Sequence, residues 1–466
     1  MKLSEQLEEV IAELDRLHPE GNLAFPGIPW EDGLPNFITT QSGYERHFSK
    51  VAQKGLHQLA AMLHADDPEI AKVIERDNFS QIVRKAVADL HADGEFSGGQ
   101  ALPDNMRKLR ERLKNDVAQL HTTFTHYFPS WTLGLERESP FVIGPVTLMT
   151  REQWLESVDF HESVKDWFLN AKEANHNWKH LVRQALGSGV DSTTDLPGLA
   201  GDIYPAIKGQ SAIVKITLAG YEKDLSRKVG GLICKSALDS ISLAFGGGDF
   251  FFKQALGDER MPPVHTNSLL ETDGSLWTTG HSTGPRFVHQ PPARLQKYAK
   301  DNREIFEVFG AILKGLSDPG TVSHPNLCNR WATALEWLSE GSREKNEAVA
   351  LAKIATSIDV LACGGKYAGI LAMLGHLTGW KEDTVIVKSQ SPETLKAVVK
   401  MIYDSGRSQI LHGTHYKRLL SFSKEKGYAA HLARIALIEC AFRLVTYTGA
   451  DEDKAFRTMP EAPKAP

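Results

Sequence analysis

Residues 403–416 read YDSGRSQILHGTHY. Arg407 and His412 stand five residues apart in this stretch, with Ser408 directly after the arginine and Gly413 directly after the histidine. The surrounding run, SPETLKAVVKMIYDSGRSQILHG (391–413), is expected to be one helix. Ser391 would be its N-cap, Pro392 its first residue and Gly413 its stop. On a straight α-helix, five residues turn about 500°, so Arg407 and His412 would sit about 140° apart and ~7.5 Å along the axis. They would flank a stripe of Asp404, Ser408 and Leu411. Asp404 is spaced to pair with Arg407 at i,i+3, and Tyr403 neighbours it at i,i+4. Gly406 inside the helix costs about 1 kcal/mol relative to alanine. That cost makes sense where a backbone or a substrate must come close.

One Arg and one His suit a particular chemistry. RNA carries its own nucleophile, the 2′-OH, and its cleavage needs proton transfer and charge stabilisation at phosphorus. Histidine titrates near neutrality and serves as general base or acid. Arginine offers a fixed fork of donors to phosphate oxygens and keeps its charge. One helix makes a sparse site. Two copies across a twofold axis would supply two of each residue to one groove. Spacing alone is weak support, because with 18 histidines in 466 residues such a pair arises roughly once by chance.

Further residues add specificity. EAVALAKIATSIDVLACGG (347–365) and YAGILAMLGHLTG (367–379) read as two helices preceding the pair. In the first, Leu351, Ile354, Ile358 and Leu361 form an apolar stripe with Asp359 on its flank. Together with YDSGRSQILHG, their order and spacing over about 150 residues resemble the ApeA-like branch of HEPN domains, whose signature includes Arg-Ser-x-x-x-His-Gly. The resemblance implies an all-α HEPN helical bundle, dimerisation through the motif helices and metal-independent RNA cleavage in antiviral defence. By position, Arg407 and His412 match the catalytic pair, Ser408 the polar residue after the arginine, and Gly413 the closing glycine. Asp359 stands where many relatives carry a Glu, one methylene shorter in reach.

Outward from this region the pattern changes twice. PARLQKYAKDNREIFEVFGAILKGL (292–316) reads as one helix, followed by NRWATALEWLSE, while YAAHLARIALIECAFRLVTY (428–447) closes the domain. Trp331 and Trp337 suit a core or a dimer contact. Residues 391–447 hold nine Lys/Arg and four Asp/Glu, a local excess of positive charge that suits a polyanion or a solvated helix face. Between about 136 and 290 the signals are mixed. SPFVIGPVTLM reads as a strand interrupted at Gly-Pro, then a helix capped by Thr150, and SAIVKITLAG (211–220) as a strand. A long helix then stops at Gly246–Gly248, and TDGS forms a hairpin turn. Residues 1–135 look mainly helical, with Leu3, Leu7, Val10, Ile11 and Leu14 on one stripe. Helices are expected over 43–64, 67–92 and 104–127. A Pro/Gly-rich loop spans 22–38, and a flexible connection spans 91–105. Five basic residues in NMRKLRERLK (105–114) form a solvated face or a nucleic-acid or partner contact.

The fold class expected is thus α+β multidomain and mainly α. A helical N-terminal region (1–135), an α/β accessory region for sensing or regulation (136–290) and a HEPN nuclease domain (291–450) precede a disordered tail (451–466). Hydrophobic content of 41% and net charge −5 fit a globular chain with a sizeable core. The four cysteines are scattered, which argues against a disulfide scaffold or a zinc ribbon. His176 and His180, spaced i,i+4, and His412 with His415 lack obvious further metal ligands. The start MKLSEQLEEVIAELDRL lacks the apolar core of a signal peptide, and no apolar run of about 18 residues suggests a membrane span.

The functional expectation is a cytoplasmic, dimeric endoribonuclease, a phage-defence or toxin effector that cuts cellular RNA, tRNA being one candidate. It would need no cofactor or metal and would answer a phage-derived or cellular trigger. The alternatives are a non-catalytic HEPN dimerisation and RNA-binding scaffold, and a partner-regulated antitoxin-like component.

Overall fold

The computed structural model describes residues 2–19, 36–96, 102–120, 122–166, 171–188, 196–259, 265–277, 280–283, 291–414 and 419–462. Most of the loop expected at 22–38, part of the connection at 91–105, and His415 lie outside the described residues. The chain is mainly α with small sheets and forms two units. One is Met1–Thr125 with Leu218–Val229; the other is His126–Thr217 with Gly230–Pro466.

In the first unit, α1 (Leu3–Leu17) and α2 (Lys50–Asp66) flank a short hairpin of β1 (Phe37–Thr39) and β2 (Glu45–His47). They are followed by α3 (Pro68–Val73), α4 (Arg76–Ala92) and α5 (Leu102–Gln119). The α1 stripe behaves as its period dictates: Leu7, Val10, Ile11 and Leu14 enter a core with Leu59, Phe79, Val83 and Leu109. The helix expected over 67–92 is broken instead. Ile74 leaves the helix in an extended conformation and is buried, which separates α3 from α4. The helix expected to reach 127 ends at Gln119. TTFTHYFPSW, rich in β-branched and aromatic residues, forms β3 (Thr122–Trp131).

In the second unit, β4 (Phe141–Ile143) and β5 (Val146–Thr150) form an antiparallel hairpin around Gly144 and Pro145. Thr150 caps α6 (Arg151–Ser157) in a reciprocal box with Gln153. Four short helices follow: α7 (Glu162–Lys165), α8 (Lys172–His176), α9 (Trp178–Ser188) and α10 (Leu199–Ile207). They pack around Trp154, Trp178 and Tyr204. β6 (Ala212–Tyr221) leads into α11 (Lys223–Ala244), which stops at glycines 246–248, all with positive φ. With β7 (Ala255–Leu256), the main sheet has the order β4-β5-β6-β3-β7. Pairs β8 (His265–Ser268) with β11 (Gly280–Thr283), and β9 (Glu271–Thr272) with β10 (Ser275–Leu276), build the expected hairpin. Its two-residue turn is Asp273-Gly274, both with positive φ.

The rest of the unit is a helical bundle. The run 292–317 is two helices, α12 (Pro292–Asp301) and α13 (Arg303–Ser317), because the chain turns at Asn302. Gly310 of α13 and Gly144 of the β4–β5 turn touch backbone to backbone, and a Cβ on either would collide with the other. α14 (Pro325–Arg343), α15 (Glu347–Ala362) and α16 (Lys366–Thr378) follow. Trp331 is wholly buried on α14 and donates its indole N–H to the Leu437 carbonyl at 2.8 Å, whereas Trp337 is partly exposed.

The single helix expected over 391–413 is instead four pieces. A small hairpin of β12 (Val385–Val387) and β13 (Glu393–Thr394) takes up Ser391 and Pro392's neighbourhood. Then come α17 (Leu395–Lys400), a π-helical segment (Met401–Ser408) and α18 (Gln409–Leu411). The N-cap is therefore Thr394, whose hydroxyl accepts from the Ala397 amide, and not Ser391. α19 (Ser423–Thr446) completes the bundle.

The tail expected to be disordered is docked over residues 451–462. Asp451 accepts from the Asn326 and Leu327 amides at the start of α14, and Phe456 and Met459 are buried. Arg457 donates to the carbonyls of Ala362 and Gly364, both at 2.6 Å, closing the end of α15. Two apolar residues and one arginine anchor a segment whose overall composition is polar. No single described helix is long and apolar enough to cross a membrane.

Candidate functional site

The site is built where the π-helical segment crosses α15. In a π-helix the hydrogen bonds close i to i+5; such turns are rare and are frequently found at functional sites. Gly406 explains how the segment packs. A Cβ there would lie 2.7 Å from Leu351 Cδ2, so glycine lets the segment press against the fully buried Leu351 of α15. The close approach implied by a mid-helix glycine is therefore to a side chain of the preceding helix.

This contact brings Arg407 over the polar flank of α15. Arg407 Nη2 lies 3.1 Å from Asp359 Oδ2, and Nε donates to Thr356 Oγ1 at 3.3 Å. The guanidinium sits 5.5 Å from the centroid of the Tyr403 ring, a cation–π arrangement. Arg407 and Asp359 are both half-buried, with 22% and 15% of their side chains exposed. Asp359 Oδ1 is buried and has no hydrogen-bond partner among the described residues. Asp404, spaced to pair with Arg407, is not within ion-pair distance of it. Asp359 from the other helix takes that place.

The segment then ends as its sequence demands. The His412 amide donates to the Ser408 carbonyl at 3.0 Å. Gly413 adopts φ +69°, its amide reaches Ile410 O at 3.2 Å, and Thr414 N reaches Gln409 O at 3.0 Å. That pair of bonds is a Schellman closure, which requires a left-handed residue at position 413. His412 is the last residue before the turn and is exposed. Among the described residues none hydrogen-bonds its ring.

The structure thus joins Arg407, Asp359 and Tyr403, and links Ser408 to His412 through the backbone. It places Asp404 on the same segment without a contact to Arg407. Thr356 was not singled out in the sequence, although its position three residues before Asp359 puts both on one face of α15. Elsewhere, His176 faces Asp166 at 3.1 Å and Glu162 at 3.8 Å. Among the described residues, no group of three or more His, Cys, Asp or Glu is placed to hold a metal ion. In chemical terms, the Arg407 region offers a braced cation with free donors, next to a segment that ends in a solvent-facing imidazole. No protein-family model, no curated protein and no solved structure matches this chain.

Proposed function

We propose that the protein is a metal-independent endoribonuclease of HEPN type, acting in the cytoplasm as a homodimer. The observation that carries this reading is the bracing of Arg407 by α15 on a π-helical turn, on the segment that ends in exposed His412. Arg407 binds the scissile phosphate. His412 takes the proton from the ribose 2′-OH as O2′ attacks phosphorus. The P–O5′ bond breaks, and the departing O5′ is protonated by the imidazolium of a second copy's equivalent histidine. The products are a 2′,3′-cyclic phosphate and a 5′-OH. The resemblance to ApeA-like proteins supports a role in phage defence.

The test is incubation of the purified protein and its His412→Ala variant with total RNA in EDTA. The proposal expects cleavage by the wild type alone, with cyclic-phosphate ends. Equal degradation by both proteins, or a requirement for a divalent cation, rules it out.

A further inference from the structure

The two contacts that α15 makes to Arg407 are not equivalent. A guanidinium has five N–H donors in a fixed plane. α15 engages one edge of that plane, Nε through Thr356 and Nη2 through Asp359. No described residue accepts from Nη1. The opposite edge, Nη1 with the second N–H of Nη2, is the one suited to a bidentate grip on phosphate.

Thr356 acts as a pure acceptor here. Its hydroxyl proton is committed to the Ala352 carbonyl at 2.8 Å, so its oxygen can only receive the Nε–H of Arg407. The contact fixes the plane of the guanidinium without cancelling its charge. Asp359 alone does not do this, because its contact to Nη2 is a single one and leaves the guanidinium free to swing about that bond.

We propose that Thr356 is a positioning residue for the phosphate-binding arginine: by holding Nε, it selects the Nη1/Nη2 edge of Arg407 as the edge presented to the RNA phosphate. This rests on the ribonuclease reading for its catalytic consequence, but the positioning itself is a property of the free protein and can be measured there.

The experiment has two arms. The first follows the Arg407 Nε–H signal by NMR in the full-length protein without RNA. Exchange of this proton with solvent is expected to quicken about tenfold in Thr356→Val, an isosteric loss of the acceptor, and to stay slow in Thr356→Ser. Unchanged exchange in Thr356→Val overturns the proposal. The second arm is kinetic. Thr356→Val should lower kcat about tenfold with little change in KM, Thr356→Ser should restore it, and both should unfold at the wild-type temperature. In an Arg407→Lys background, which has no Nε–H, Thr356→Val should cause no further loss. Full additivity of the two substitutions would show a purely structural role and also overturn it. If the wild-type protein leaves RNA uncut, the ribonuclease reading fails while the exchange arm still decides whether Thr356 positions Arg407.

Discussion

Asp359, near the end of α15, and Arg407, on the π-helical segment, meet at 3.1 Å in a half-buried ion pair. The pair ties the motif segment to a helix whose apolar stripe is wholly inside the bundle. Removing the carboxylate frees the arginine rather than the helix. On the proposed ribonuclease reading, Asp359→Ala should therefore lower RNA cleavage by roughly tenfold to a hundredfold, the worth of a charge-assisted hydrogen bond. Rate measurements alongside circular dichroism check this; wild-type rates in a folded variant would refute it.

Gly406→Ala sets two effects against each other. Alanine favours helix by about 1 kcal/mol, but its Cβ would meet Leu351 Cδ2 at 2.7 Å in a filled core. Overpacking of this kind costs about 1–3 kcal/mol and should win. Urea denaturation should show a lower midpoint for Gly406→Ala, partly recovered when Leu351→Val is added.

The Asp239–Arg343 pair joins α11 to α14 and is almost fully buried, with 1% and 9% of the side chains exposed. Arg343 also donates to the Phe251 and Gln254 carbonyls. Asp239→Ala strands the guanidinium and should cost about 3–5 kcal/mol, whereas replacing both residues by apolar ones of similar volume should restore most of the loss. Chemical denaturation of the single and double variants distinguishes the two outcomes.

Shortening the chain to end at Ala450 should destabilise the bundle by several kcal/mol, since burial of Phe456 and Met459 is lost at about 1.5–3 kcal/mol each. The subtler variant Arg457→Ala should leave the bundle folded but weaken amide-exchange protection at the end of α15, where Arg457 holds the Ala362 and Gly364 carbonyls. Unaltered protection there would show that the tail does not close the helix.

In the first unit, His18, His47 and His91 cluster around Arg46, with Asp15 and Glu45 as the nearby carboxylates. Burial and then the Arg46 charge pull His18 down to about 4, and the same two causes lower His91. The folded state therefore resists protonation that the unfolded chain accepts near 6.5. Stability falls as pH drops from about 6.5 towards 4, and for half-exposed His18 the loss is on the order of 1 kcal/mol after solvent screening. His18→Gln keeps an acceptor for the His47 amide and should flatten that slope in melting curves recorded across this range.

Periodic residues were the legible part of this sequence. The stripes of α1 and α15, the Thr150 cap, the Gly246–Gly248 stop and the Asp273-Gly274 turn all follow from local chemistry, and the structure has each of them. What escaped was set by tertiary contact. Ile74 breaks a helix because the core takes it, Phe456 orders a polar tail, and the π-helical segment answers the fit of Gly406 to Leu351. At the candidate site, Tyr403, Asp359 and Arg407 were visible on the chain. That Arg407 would take Asp359 rather than Asp404, with Thr356 beside it, depends on how two distant helices cross.

The π-helical segment also makes this part of the chain intolerant of added length. Its wide turns already hold more residues than α-helical ones would, and one further residue inserted between 401 and 405 would have to wind as additional helix. With about 100° of rotation per residue, everything on one side would then turn out of phase with the other. Either α17 would lose its seat in the bundle, or Arg407 would swing off α15. Substitutions here alter a contact, but an insertion alters the direction in which the arginine points, so the residue count from Leu395 to Arg407 is itself part of the site.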